Sequence, residues 1–279
     1  MRWLLLALAL GAVVPAAEGA ARLRIVSLAP NLTELAYAAG AGSTLVGTVE
    51  YSDYPEAARA LPRVGDAWRV DPERVLELRP DLVLAWSSGT PGDTVARLES
   101  LGLRVVSIPT YRLADVGAAL RTIGKIAGTT AVADAAAAKF DAGIGRLRAA
   151  HATAPPLDVF IEIDDEPLFT VNGRHVISEV VQLCGGRNVF ADLPQLAPPV
   201  ALEAVIARDP QVILSTDDTI ADPKALWRRW TRVAAVRDGT IYSMPSDTLT
   251  RATPRLAEGA REVCAALDDA RKKAAGRSR

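Results

Sequence analysis

Few residues in this chain are placed to do chemistry. Only two histidines occur in 279 residues, His151 and His175. Glu179 lies four positions after His175, half of what a metal site needs, but two ligands do not hold a zinc ion and a pair at a helix start explains the spacing better. His151 ends an alanine-rich run and reads as a solvated residue at a helix C-terminus, favourable to the dipole. The chain has no G-x-S-x-G elbow, no phosphate-cradling G-x-x-x-x-G-K-[ST] loop, no G-x-G-x-x-G turn after a strand and no H-E-x-x-H helix. An exported α/β hydrolase using Asp247 or Glu162 as acid or base would therefore lack its nucleophile motif. Aromatic residues are the more telling set. Tyr51, Tyr54, Trp68, Trp86 and Phe169 fall at strand ends or in loops of a chain that is only 5% aromatic. Rigid apolar surfaces there suit a flat or large organic ligand, although each one singly could also cover the end of a core.

These residues are carried on two copies of one unit. VDPERVLELRPDLVLAW (70–86) and VALEAVIARDPQVILST (200–216) match at Val70 and Val200, Glu73 and Glu203, Val75 and Val205, Pro80 and Pro210, and Leu84 and Leu214. A second match, NLTELAYAAGAG with HVISEVVQLCGG, sets Leu32 on Ile177, Thr33 on Ser178, Glu34 on Glu179 and Gly40 on Gly185, at an offset of 145 rather than 130. The first half therefore carries an insertion between Gly40 and Val70, where EYSDYPEAARALPRVGDAW lies. Any two βα units share a capped helix, a proline turn and an apolar strand. Two matches in one order point further, to a duplicated lobe.

Short β-branched runs at 22–28, 44–49, 81–86 and 104–109, and again at 158–164, 188–190 and 239–246, alternate with helical spacing. The fold class is α/β: two similar lobes with central, mainly parallel sheets. Between them, the alanine-rich text from Ala131 to Ala152 predicts a single long connecting helix of about 30 Å, broken by the prolines of TAPPL. The expected divisions are a leader (1–21), an N-terminal lobe (22–127), the connecting helix (128–155) and a C-terminal lobe (156–275). A ligand belongs in the inter-lobe cleft, beyond the carboxyl ends of the strands.

Composition narrows the partners. Hydrophobic residues make up 49% of the chain, enough for packed cores, and 32 Lys plus Arg against 33 Asp plus Glu leave no field to hold nucleic acid. MRWLLLALALGAVVPAAEGA reads as a secretory signal peptide, its apolar run being shorter than the ~20 residues of a membrane span. No cysteine stands near its cleavage region to accept a lipid, so the mature protein is expected to be soluble in an exported, oxidising compartment. Its two cysteines, Cys184 and Cys264, are read there as a disulfide, with two separate buried thiols as the alternative.

RIVSLAPNLTELAYAAGAGSTLVGTVEYSDYPEAARALPRVGD, DPERVLELRPDLVLAW, CGGRNVF and SDTLTRATPR together resemble the periplasmic substrate-binding proteins of ABC importers for cobalamin, within the larger class that carries haem and siderophores. The likeness covers nearly the whole mature chain, with the motifs in the family's order. It implies a non-enzymatic monomer in the periplasm that has no cofactor, holds cobalamin or a related corrinoid as a transported ligand, and delivers it to the permease subunits. Haem, with iron held by Tyr51 or His175, or a ferric siderophore are the alternatives within the class. By resemblance, Tyr51 lies against the corrin ring, Trp86 and Phe169 line the cleft, and Trp68 does so from a place displaced by one in its loop. Asp247, Thr248 and the residues to Arg251 close the other lobe on the ligand. Glu73 and Glu203 dock onto the permease, although a carboxylate in a first helical turn is favourable whatever it touches. Cys184 and Cys264 match the family's disulfide. Where cobalamin binders often have tryptophans this chain has Ala197 and Thr248, which implies a different corrinoid or other contacts from Leu196, Leu249 and Arg251.

Overall fold

The computed structural model describes residues 22–216 and 222–277; the signal-peptide reading lies outside them. The first half runs β1 (Ile25–Ser27), α1 (Pro30–Ala38), β2 (Leu45–Gly47), α2 (Pro72–Glu77), β3 (Leu82–Trp86), α3 (Gly92–Ser100), β4 (Val105–Ile108) and α4 (Leu113–Ala127). The helix α5 (Thr130–Ala150) follows, 21 residues and about 30 Å long, with Gly143 and Gly145 inside it. The second half runs β5 (Leu157–Glu162), β6 (Asp164–Asp165), β7 (Leu168–Phe169), α6 (Val176–Leu183), β8 (Gly186–Asn188), α7 (Leu202–Arg208), β9 (Val212–Thr216), α8 (Pro223–Trp227), α9 (Ala234–Asp238), β10 (Ile241–Met244), α10 (Ser246–Leu249) and α11 (Leu256–Arg277).

Two four-stranded sheets result, ordered β2-β1-β3-β4 and β8-β5-β9-β10, every pairing parallel. The orders coincide when β2 is laid on β8, β1 on β5, β3 on β9 and β4 on β10, so the repeat read from the sequence is a repeat of topology. Details repeat too. α1 and α6 are followed by Gly40 and Gly185 at φ 79° and 76°, a left-handed turn that an L side chain would strain. Arg79 and Asp209, each before the matched proline, share the rarer left-handed backbone of a non-glycine residue, φ 45° and 42°.

Alternation along the strands assigns the faces. Ile25 and Leu84, with Val159, Ile161 and Leu214, turn inward and join α1, α4, α5, α6 and α11 in one apolar cluster that runs through both halves. Val26, Leu28, Val83 and Ala85 pack outward with Val75 and Leu98 of α2 and α3. Phe160 and Ile213 do the same with Phe190, Val205 and Trp227. The shared inner cluster and α5 set the lobes against each other. Cys184 and Cys264 are joined as a disulfide that ties the end of α6 to α11. No helix among the described residues is long and apolar enough to cross a membrane.

Candidate functional site, an inter-lobe cleft

Each sheet sends extra chain from the carboxyl ends of its strands. In the N-terminal lobe it follows β2, where a buried hydroxyl chain fixes its start: Thr33 Oγ1 lies 2.6 Å from Thr48 Oγ1, which is 2.8 Å from Ser52 Oγ. Arg63 holds the other side by donating to the Ser52 and Ala58 carbonyls at 3.0 Å. Between these anchors Tyr51 stands out with φ 62° and 77% of its surface exposed. Trp68 is 67% exposed on a turn closed by Asp66, whose Oδ1 accepts from the Trp68 and Arg69 amides at 2.7 Å. In the C-terminal lobe the extra chain follows β5 instead, as the β6–β7 hairpin, which the sequence reading did not contain. Phe169 sits on β7 and is bridged to Pro199.

Between the lobes lies a cavity of about 230 Å³. Its N-terminal wall carries Pro30, Asn31, Trp86, Ser88, Thr110 and Tyr111, from the ends of β1, β3 and β4. Trp86 is held by its Nε1, which donates to Thr110 Oγ1 at 2.7 Å, while Asn31 Nδ2 donates to the same oxygen at 3.3 Å. Gly89 allows this pose, because a Cβ there would fall 2.0 Å from the indole ring. The opposite wall carries Arg174, His175, Val176, Leu196 and Thr250 to Ala252.

Ion pairs join the walls. Arg251 Nη1 lies 2.9 Å from Asp53 of the opposite lobe, and its Nη2 lies 3.3 Å from Asp247. Partial burial would raise the Asp53 carboxyl, but the hydrogen bond and charge of Arg251 outweigh it and hold it below the usual carboxylate range. Arg255 makes a bidentate pair with the buried Glu34 at 2.9 and 2.8 Å and lies 4.0 Å over the Tyr54 ring. Reciprocally, Glu179 accepts from the Leu113 amide of the N-terminal lobe at 2.7 Å. The matched glutamates of α1 and α6 therefore each reach across to the other lobe.

Of the site residues expected from sequence, the cavity brings together Trp86 and Arg251, with Asp247 in contact through Arg251. Tyr51, Trp68, Phe169 and Thr248 are not among its lining residues; Thr248 Oγ1 turns back to the Pro245 carbonyl at 3.2 Å. Leu249 is 1% exposed and belongs to the core, which removes it as a ligand contact. His151 does cap α5, its Nδ1 2.8 Å from the Leu147 carbonyl, yet its side chain is only 11% exposed against Asp268 and is not solvated. Asn31, Ser88, Thr110 and Arg174 were missed. Ser88 and Thr110 stand just after β3 and β4, without the aromatic type that drew attention elsewhere, while Asn31 in the first turn of α1 and Arg174 just before α6 carried no such signal. Among the described residues no group of three or more His, Cys, Asp or Glu could hold a metal ion.

The family model for periplasmic binding proteins matches residues 25–248. The chain belongs to the periplasmic binding protein family. Within that family it is 36% identical over 250 residues to a vitamin B12-binding protein of Vibrio cholerae serotype O1, covering 89% of this chain and 90% of that one. It is also 36% identical over 248 residues to the vitamin B12-binding protein of Pectobacterium carotovorum subsp. carotovorum, covering 88% of each. The crystal structure of the periplasmic vitamin B12 binding protein BtuF of Vibrio cholerae superposes with a TM-score of 0.84, over 89% of this chain and 98% of that one. The periplasmic heme-binding protein BhuT, in complex with two hemes, superposes with a TM-score of 0.81 at 25% identity, over 90% and 99%. Two parallel α/β lobes around a cleft are thus the architecture of the periplasmic binding protein family. By its description, the family is one of binding proteins.

Proposed function

We propose that this protein captures a cobalamin-type corrinoid in the periplasm and delivers it unchanged to an ABC importer. The observation that carries the reading is the cleft between the strand ends of two like lobes, walled by Trp86 on one side and Arg251 on the other, in a chain 36% identical to a vitamin B12-binding protein. The cavity is smaller than the several hundred Å³ of a site that encloses a drug-sized ligand. A corrinoid would use it as a floor and extend over the exposed faces of Tyr51 and Trp68, with Phe169, Asp247 and Thr248 approaching from the C-terminal lobe. Saturable binding of cyanocobalamin to the purified protein, followed by recovery of intact ligand, tests both capture and the absence of catalysis.

The rest of the reading follows from that role. Residues 1–21 act as a cleaved signal peptide and the mature protein is a soluble monomer without a lipid anchor. The lobes span 22–127 and 156–275, with 128–155 as the connecting segment. Glu73 and Glu203 dock the two lobe tips onto the two permease subunits. Both are exposed in the first turns of α2 and α7, which is what a two-fold permease needs of a two-lobed partner. Replacing both by alanine should leave corrinoid affinity unchanged and impair transport; a loss of affinity would place them in the ligand site instead.

A further inference from the structure

His175 faces the cleft with one ring nitrogen committed and the other free. It is the N-cap of α6, and its Nδ1 accepts from the Ile177 amide at 3.2 Å. A ring nitrogen that accepts from an N–H must hold its lone pair outward, so in the neutral imidazole the proton sits on Nε2. Among the described residues the ring's hydrogen bond is made through Nδ1 and none through Nε2, and His175 lines the cavity with Trp86 on the opposite wall and Arg174, Val176 and Leu196 beside it. Glu179, one turn on, is turned away from the ring to the Leu113 amide. A neutral Nε2–H can donate to an oxygen acceptor. It has no lone pair for a metal unless the cap is broken.

We propose that His175 is a specificity-determining residue of this cleft, donating one hydrogen bond from Nε2 to an acceptor oxygen on the ligand's periphery, such as a carboxamide carbonyl, and unable to act as an axial metal ligand. The inference rests on the corrinoid reading, since a corrinoid carries amide oxygens around its ring and brings its metal already coordinated from within. It would distinguish such a ligand from one whose iron needs an imidazole from the protein. Desolvation lowers the pKa of His175 to about 4, so the ring stays neutral at ordinary pH and the donor is always present.

Two substitutions separate the cap from the donor. In His175→Asn the side-chain oxygen takes the place of Nδ1, and asparagine is a strong N-cap, so thermal stability should be kept. The donor is lost, and cyanocobalamin affinity should fall about tenfold, the scale of one buried hydrogen bond. In His175→Gln the amide nitrogen takes the place of Nε2, so affinity should be largely kept while stability falls. A residue that matters only as a cap would show affinity tracking stability in both variants, and that result would overturn the role. If the unaltered protein does not bind cyanocobalamin, the corrinoid reading fails and takes this role with it; binding of equal strength by the unaltered and His175→Asn proteins overturns this role alone. Long-range proton–nitrogen NMR of the free protein should find the Nε2–H tautomer, and an Nδ1–H tautomer would contradict the premise independently of any ligand. With ferric haem, a spectrum that changes on His175→Asn would likewise show iron coordination and overturn the proposal.

Discussion

Where the N-terminal lobe has Leu28, the C-terminal lobe has Glu162; where it has Ala85, its partner has Ser215. Strand pairing fixes these equivalences, since β1 meets β3 as β5 meets β9. All four side chains are buried. In the first lobe they belong to an apolar cluster, whereas in the second Glu162 accepts from Ser215 Oγ and, at 3.0 Å, from Trp227 Nε1. The lobes thus share topology, turns and the cross-lobe glutamates, and differ in how polar groups are used: neutral hydroxyls beneath the Tyr51 loop in one, and titrating Glu162 and His175 in the other. The divergence lies at the carboxyl ends of the strands, beside the cleft of the proposed ligand. A ligand without two-fold symmetry favours unlike walls.

The largest test of this difference is the disulfide, which only the C-terminal lobe has. Replacing Cys184 and Cys264 by alanine should cost about 4 kcal/mol in the chain-entropy model and lower the melting temperature by about 10 °C. A thermal scan with and without reductant would show it. Next are the reciprocal glutamates. Glu34→Ala leaves Arg255 with its charge unpaired and should cost about 3 kcal/mol in denaturant unfolding, while Glu179→Ala orphans only the Leu113 amide and should cost about 1–2 kcal/mol. Equal costs would mean that the two clasps are equivalent after all.

Much of the frame was legible because it depends on local text. The β-branched run ending at Trp86 had to be a strand, and Leu32, Leu35, Ala36 and Ala39 could lie on one face only in a helix. The two-residue strands β6 and β7 were not legible, since Asp164–Asp165 carries no strand signal and pairs only because Leu168 and Phe169 come back beside it. The cavity was half legible. Trp86 declared itself by type, but Thr110 matters because Trp86 and Asn31 both reach it, and Arg251 finds Asp53 across 198 positions of sequence. Pairings at that distance leave no local pattern.

The buried acid gives a pH signature confined to one lobe. Desolvation raises the Glu162 pKa from 4.5 to about 7, so the folded state binds its proton more tightly than the unfolded state does. Its contribution is complete below about pH 4.5 and lost as pH rises through 7, by about 3 kcal/mol in all. His175, whose pKa is lowered, acts with the opposite sign: its contribution is complete above about 6.5 and lost as pH falls toward 4. The two windows overlap with opposite slopes and largely offset each other, so stability in denaturant should be nearly level from pH 4 to 9, whereas Glu162→Gln should remove the alkaline fall and leave stability rising from pH 4 to about 6.5. The smallest effect is at α2 and α7, where Asp71 caps α2 by accepting from the Glu73 and Arg74 amides but Ala201 cannot cap α7. Asp71→Ala should cost about 1 kcal/mol, and Ala201→Asp should add about 0.5–1 kcal/mol.

The central claim is that the cleft between these unlike walls holds a corrinoid. Isothermal titration of the purified protein with cyanocobalamin should give saturable binding of one ligand per chain at micromolar affinity or tighter. No heat of binding and no ligand-induced rise in melting temperature would contradict it.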